Sequence, residues 1–236
     1  MPESDNDAIA GILDGAGDLP RILGPRLPAA FFDRDTPTVA RELLGKVLVS
    51  TSGDTVTGGR IVETEAYLGA HDPGSHAATK GMTRRNAVMY GSPGVAYVYF
   101  TYGNHHMINL VTEAEGTAGA VLIRAIEPLF GIEEMLRRRA PARGVNGANG
   151  PGKLAAALGI DLTDNGHALG VGRLSVYDAP SVSDAAVSTT GRVGLSDGHE
   201  LELRYHLAGD PHVSKGRTGP RPPQRRSPPA LRTEQK

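Results

Sequence analysis

The segment Glu63-Thr64-Glu65-Ala66-Tyr67 sets two carboxylates and a phenol at alternate positions. Side chains alternate with period two along a β-strand, so Glu63, Glu65 and Tyr67 share one face if this segment is a strand. Burying such groups is costly unless they are paired. The face is therefore either a solvated acidic edge or a site that uses its charges. A hydrolytic enzyme needs one carboxylate to orient a water molecule and take its proton, and this face offers two. Spacing alone does not choose between them.

Three other segments carry groups of the same kind. Tyr97-Val98-Tyr99-Phe100-Thr101-Tyr102-Gly103 gathers four aromatic residues in a chain that is 5% aromatic and has no tryptophan. Tyr97 and Tyr99 fall on one strand face, whereas Tyr102 falls at a turn. A flat, stiff side chain at a turn tip suits a wedge between stacked bases, and stacking a base on tyrosine is worth about 1–3 kcal/mol. The alternative is a hairpin whose tyrosines simply cover the sheet. Arg124 interrupts the apolar run Ala120–Ile126. A buried arginine requires an anion, and Glu65 or Glu127 could supply it, either as a structural ion pair or as part of a site. His71-Asp72-Pro73-Gly74-Ser75-His76 has two imidazoles and a carboxylate, but the spacing matches no metalloenzyme motif and no third ligand is evident. No metal is expected.

The elements that must position these groups alternate between strands and short helices. Thr36 before Pro37 caps a helix that Gly45 closes. Strands are expected over Lys46–Ser50, Arg60–Ala66, Val95–Thr101, roughly His106–Thr112 and Ala118–Ile126, with three more near 172–177, 191–195 and 200–206. Helices are expected over Ile132–Arg139 and Lys153–Leu158. The order is mixed, with hairpins and peripheral helices, which makes the fold α+β: a single domain with an antiparallel sheet.

With 236 residues and no cysteine, the chain suits one core without disulfide or thiolate staples and fits a reducing compartment. No signal peptide or apolar span is evident, so a soluble protein of the cytoplasm is expected, associated with the nucleoid if bacterial. The formal charge of −1 hides an asymmetry: Glu3, Asp5, Asp7, Asp14 and Asp18 crowd the start, and Lys215, Arg217, Arg221, Arg225, Arg226, Arg232 and Lys236 crowd a proline-rich end. Residues 1–28 and 214–236 are expected to be disordered, flanking a domain over 29–213. The basic tail is either an attraction for nucleic acid or a solvated end.

Taken together, the segments resemble the alkyladenine (3-methyladenine) DNA glycosylase family, from about Phe31 to Val213. The motifs, in order, are Ala40–Gly45, Arg60–Tyr67, Asp72 with His76, Arg85-Asn86 with Met89, Pro93-Gly94 with Tyr97–Tyr99, Tyr102-Gly103 with Asn109, Arg124-Ala125 with Glu127-Pro128, and Gly150–Leu154. The resemblance implies a monofunctional enzyme of base excision repair with a protruding β-hairpin. Acting on duplex DNA as a monomer, and with no cofactor, it would flip an alkylated purine into a pocket and hydrolyse the N-glycosidic bond. It implies Glu65 rather than Glu63 as general base, Arg124 and the Val193 carbonyl as contacts of the nucleophilic water, and Tyr67, His76, Tyr99 and Asn109 as pocket residues. Tyr102 would intercalate. The expected lesions are 3-methyladenine and 7-methylguanine, with hypoxanthine or ethenoadenine as neutral candidates.

The chain departs from the family pattern at Asn104-His105-His106, where an apolar residue is expected after Gly103, and the two histidines there are candidate phosphate contacts. Lys80, Arg84, Arg85 and Lys153 are further expected phosphate contacts. Two rival readings remain at this stage: a catalytically silent damage-binding protein, and a metal-dependent hydrolase built on His71, Asp72 and His76.

Overall fold

In the computed structural model, which describes residues 23–101, 103–216 and 218, two short helices lead into the sheet. They are α1 (Ala29–Phe32) and α2 (Thr36–Glu42). The cap of α2 is Asp35, one residue earlier than the sequence pattern suggested. Its carboxylate accepts from the Thr38 amide at 3.1 Å. Thr36 instead turns its hydroxyl inward to Thr112 and Glu113. A carboxylate cap also suits the positive helix start, so the hydroxyl is free for the core.

The strands β1 (Val47–Ser52) and β2 (Thr55–Tyr67) form a hairpin around the two-residue turn Gly53-Asp54, with Gly53 at φ +57°. After α3 (His76–Lys80) come β3 (Ala96–Thr101), β4 (His105–Val111) and β5 (Ala120–Phe130), then α4 (Ile132–Arg138) and α5 (Pro151–Ala157). Short strands β6 (Leu174–Tyr177), β7 (Val187–Thr190) and β8 (Arg204–Leu207) complete the sheet. The strand order is β3-β4-β5-β2-β1-β6, with β8 joining β2 and β7. Every strand pair among the described residues is antiparallel. β2 is long enough to pair first with β1 and then, from Glu63, with β8.

Period two sorts the sheet into a core face and a site face. Val62, Ala66, Ala96, Val98, Ile108, Leu110, Val121, Ile123 and Ala125 enter one hydrophobic core with Val39, Leu43 and Leu44 of α2 and Leu154 of α5. A Leu or Ile buried this fully is worth about 1.5–3 kcal/mol against leaving it in water. The alternate residues Tyr67, Tyr97, Tyr99, Met107, Asn109, Leu122 and Arg124 line a cavity on the other face. Glu65, Leu122, Asn109 and Tyr97 form one row across four strands. Register shifts in the β2–β5 ladder at Ile61/Glu63 and Glu63/Thr64 fall beside Arg124. Such irregularities re-aim a side chain, and here they bring Arg124 between two carboxylates.

The expected strand at 191–195 is absent. β7 ends at Thr190, and Val193 makes only an isolated bridge with Thr218. Gly191 lies so close to the His199 carbonyl that a Cβ there would sit 2.1 Å from it, so this stretch follows a neighbouring loop rather than a ladder. Residues on both sides of 29–213 also make contacts with the sheet. The Gly24 and Leu27 amides bond to Asp178 and Val176, and Ser214 is buried against Glu63. Backbone polar groups next to a sheet find partners there, which draws both flanks in. No helix among the described residues is long and apolar enough to cross a membrane.

Candidate active site

Glu63 and Glu65 are both fully buried, with 0% exposure, and both face the site side of β2. Their partners differ. Glu63 accepts from Arg124 Nε at 2.8 Å, Arg204 Nε at 2.7 Å, the Ser214 hydroxyl at 2.9 Å and the Ser214 amide at 2.7 Å. Burial pushes its pKa up, but the charges of Arg124 and Arg204 and the bonds from Arg204 and Ser214 outweigh it and hold Glu63 below the usual carboxylate range. This carboxylate is saturated.

Glu65 is held by fewer charged donors. The Val193 amide donates to its Oε1 at 2.7 Å and the Tyr67 hydroxyl to its Oε2 at 2.9 Å, while Arg124 Nη1 stands 3.2 Å from Oε2. A carboxylate has about four acceptor sites, so Oε1 keeps capacity for a proton from water. Tyr67, Arg124 and Val193 all line the cavity, which measures about 310 Å³. Burial, followed by the nearby Glu65 charge, raises the Tyr67 pKa well above its ordinary value, so the phenol stays a donor. Arg124 is likewise held protonated: burial opposes its charge, but Glu65 and Glu63 together more than offset that cost. Glu127, the other expected partner of Arg124, pairs with Arg60 at 2.7 Å instead.

The walls are aromatic. Tyr97 and Tyr99 have ring centroids 5.3 Å apart, and the His76 ring meets Tyr99 edge-on at 4.8 Å. His76 Nδ1 lies 3.2 Å from the Tyr97 hydroxyl, whose pKa burial pushes up to about 12. His76 opens α3, which Ser75 caps by accepting from the Ala77 amide. Asn109 is buried and donates its side-chain amide to the Tyr97 carbonyl at 3.1 Å, which orients its oxygen. A pocket of this kind, with few polar groups on aromatic walls, suits a planar ligand such as a nucleobase.

Of the residues expected at the site, Arg124, Tyr67, His76, Tyr99, Asn109 and Val193 line this cavity, and Glu65 lies behind it, bonded to Tyr67 and Val193. Val193 donates its amide to Glu65; its carbonyl was the group expected to contact the nucleophilic water. Tyr102 and the Lys80 side chain lie outside the described residues. Arg84 is exposed. Arg85 donates to the Phe100 carbonyl at 2.7 Å and stacks on Tyr99 at 5.4 Å, so the hairpin holds part of its guanidinium. Lys153 bonds to Asn149 at 2.7 Å. The trio His71, Asp72 and His76 does not assemble around an ion, because Asp72 gives both oxygens to Arg192 at 2.5 Å. Among the described residues, no three His, Cys, Asp or Glu side chains stand together as a metal site.

Arg192, Arg204 and Ser214 were missed from sequence. Arg192 and Arg204 sit in segments without a clear apolar pattern, and Ser214 fell in the presumed tail. A lone arginine between glycines in Gly191-Arg192-Val193-Gly194 was the signal available for the first.

Comparison with known proteins agrees with this geometry. Residues 30–211 match the family model described as methylpurine-DNA glycosylase. Proteins named "Putative 3-methyladenine DNA glycosylase" are similar over most of their length. The one from Chlorobium luteolum is 49% identical over 81% of this chain and 98% of its own. That from Prosthecochloris aestuarii is 47% identical over 83% and 93%, and that from Methanoculleus marisnigri 46% over 80% and 98%.

Proposed function

The chain belongs to the methylpurine-DNA glycosylase family, hydrolases of N-glycosyl bonds in DNA, and we propose that it releases alkylated purines by activating water on Glu65. The observation that carries this reading is the unequal treatment of the two carboxylates: Glu63 is saturated by charged and polar donors, and Glu65 keeps acceptor capacity behind Tyr67 and Val193, which line the cavity.

On this reading a damaged nucleotide leaves the stack of a duplex and enters the cavity, at a cost of a few kcal/mol that is smallest for weakened base pairs. Tyr67 and Tyr99 stack on the base, and His76 and Asn109 fix its edges. Asn109 screens against purines with a 2-amino group, and Tyr102 fills the gap in the helix. The C1′–N bond breaks with its electron pair leaving on the base, and positive charge develops on the sugar. The water oxygen bonds to C1′ while its proton passes to Glu65. The carboxylate both stabilises the sugar cation and accepts that proton.

A cationic base such as 3-methyladenine or 7-methylguanine is already a good leaving group, so this chemistry calls on no cofactor. Neutral hypoxanthine and ethenoadenine depend more on hydrogen bonds. One monomer suffices for one lesion. Arg84, Arg85, Lys153 and Lys80 serve the phosphates.

The test is Glu65→Gln on a duplex with a single 7-methylguanine or hypoxanthine. Single-turnover base release should vanish while binding to the damaged duplex persists. Base release at the parent rate would overturn the assignment. An excision panel of 3-methyladenine, 7-methylguanine, hypoxanthine and ethenoadenine gives the lesion range, and release of none of them would favour the silent damage-binding reading.

A further inference from the structure

The ring of Tyr67 has two faces, and a positive charge occupies one of them. The Arg192 guanidinium carbon lies 4.7 Å from the ring centroid. Arg192 is 0% exposed and does not line the cavity, whereas Tyr67 and Gly74 do. A Cβ added to Gly74 would stand 2.7 Å from Arg192 Nη2, so the backbone at Gly74 closes over the guanidinium. The cation therefore lies behind the stacking ring, on the side turned away from the cavity.

The guanidinium cannot move off this ring easily. Both of its terminal nitrogens bond to Asp72, and they also donate to the Ala66 carbonyl at 3.0 Å and the Gly198 carbonyl at 3.1 Å. Asp72 is fixed in turn by the Leu68 amide at 3.0 Å and the Gly74 amide at 2.9 Å. The hydroxyl of Tyr67 is fixed by Glu65. Ring, cation and countercharge form one rigid stack.

An aromatic face attracts cations because its π density is negative. A guanidinium on the far face draws on the same density and repels a second cation through the ring, with no water between to screen it. A neutral base on the near face loses little by this. We propose that Arg192 and Asp72 are specificity-determining positioning residues, which fix the ring of Tyr67 and set, through the charge behind it, how strongly the pocket prefers a cationic purine over a neutral one. This deepens the reading of Tyr67 as a base-stacking ring and rests on it.

The measurement is a binding ratio in the full chain carrying Glu65→Gln, so that no base is released. Affinities are taken for duplexes with one 7-methylguanine or one hypoxanthine, each relative to the undamaged duplex, at mildly acidic pH where 7-methylguanine keeps its charge. Adding Asp72→Asn leaves the guanidinium uncompensated and should lower the cationic-to-neutral ratio by about tenfold. Adding Asp72→Asn and Arg192→Met together removes both charges. Apolar replacement of a whole buried ion pair is often neutral for stability, so this variant decides the matter if the single one does not fold. It should raise the ratio severalfold above the parent.

A merely structural role would change both affinities in parallel. Parallel changes, or shifts of opposite sign, overturn the proposal. If the parent binds neither lesion better than undamaged DNA, the stacking reading itself fails and takes this inference with it. If the parent discriminates and the variants move in parallel, only the inference fails.

Discussion

Glu63 and Glu65 lie two residues apart on one strand face, equally buried, yet their surroundings saturate one and not the other. Around Glu63, the Nε groups of two guanidiniums and the hydroxyl and amide of Ser214 converge on one carboxylate. Around Glu65, a neutral amide and a neutral phenol do most of the holding, and Arg124 is shared. Full compensation makes a carboxylate a structural anchor. Fewer donors leave part of its acceptor capacity open. Arg124 joins the two regions, with Nε 2.8 Å from Glu63 and Nη1 3.2 Å from Glu65.

The largest way to test this contrast is to remove the charge of Glu65. Glu65→Gln should lower the single-turnover rate by about 10²- to 10⁴-fold, the usual worth of a positioned general base, with little change in thermal midpoint. Glu63→Gln should do the reverse and act first on stability. It leaves Arg124 and Arg204 buried with one anion too few, a loss of about 3–5 kcal/mol in denaturant unfolding.

The same variant has a pH signature. The folded pKa of Glu63 is lowered, so its stabilisation is fully present above the ordinary carboxylate value and is lost as pH falls through the folded value. Acid unfolding of Glu63→Gln should therefore be flatter across that window than the parent's. Ser214→Ala removes the hydroxyl but keeps the amide bond to Glu63, and should cost about 1–3 kcal/mol. Glu127→Gln sets the baseline. It breaks only the Arg60 pair, whose side chains are 40% and 30% exposed, and should change stability by under about 1 kcal/mol with base release intact.

The antiparallel α+β plan and the shared face of Glu63, Glu65 and Tyr67 were legible because strand alternation is local. So were β3 and β4, whose alternate residues announce Tyr97 and Tyr99. What could not be read was which carboxylate is saturated, because the answer comes from residues far along the chain. Arg124, Arg204 and Ser214 stand 61, 141 and 151 positions from Glu63. Arg124 also depends on ladder irregularities that no periodicity predicts. The choice of Glu65 came from resemblance; the hydrogen bonds show which of the two carboxylates is the less saturated. The strand expected at 191–195 failed because β-pattern alone ignores the tight approach of Gly191 to His199. Val193 consequently turns its amide toward Glu65.

The closure of Glu63 by Ser214 also has a temporal meaning. A ribosome makes the chain in one direction, and Glu63 emerges 151 residues before the Ser214 amide that bonds to it. Arg192 and Arg204 also arrive late. Until then Glu63 is without the Arg204 and Ser214 donors that surround it in the folded chain. A chain that stops short of Ser214 lacks the last of the donors that close around Glu63.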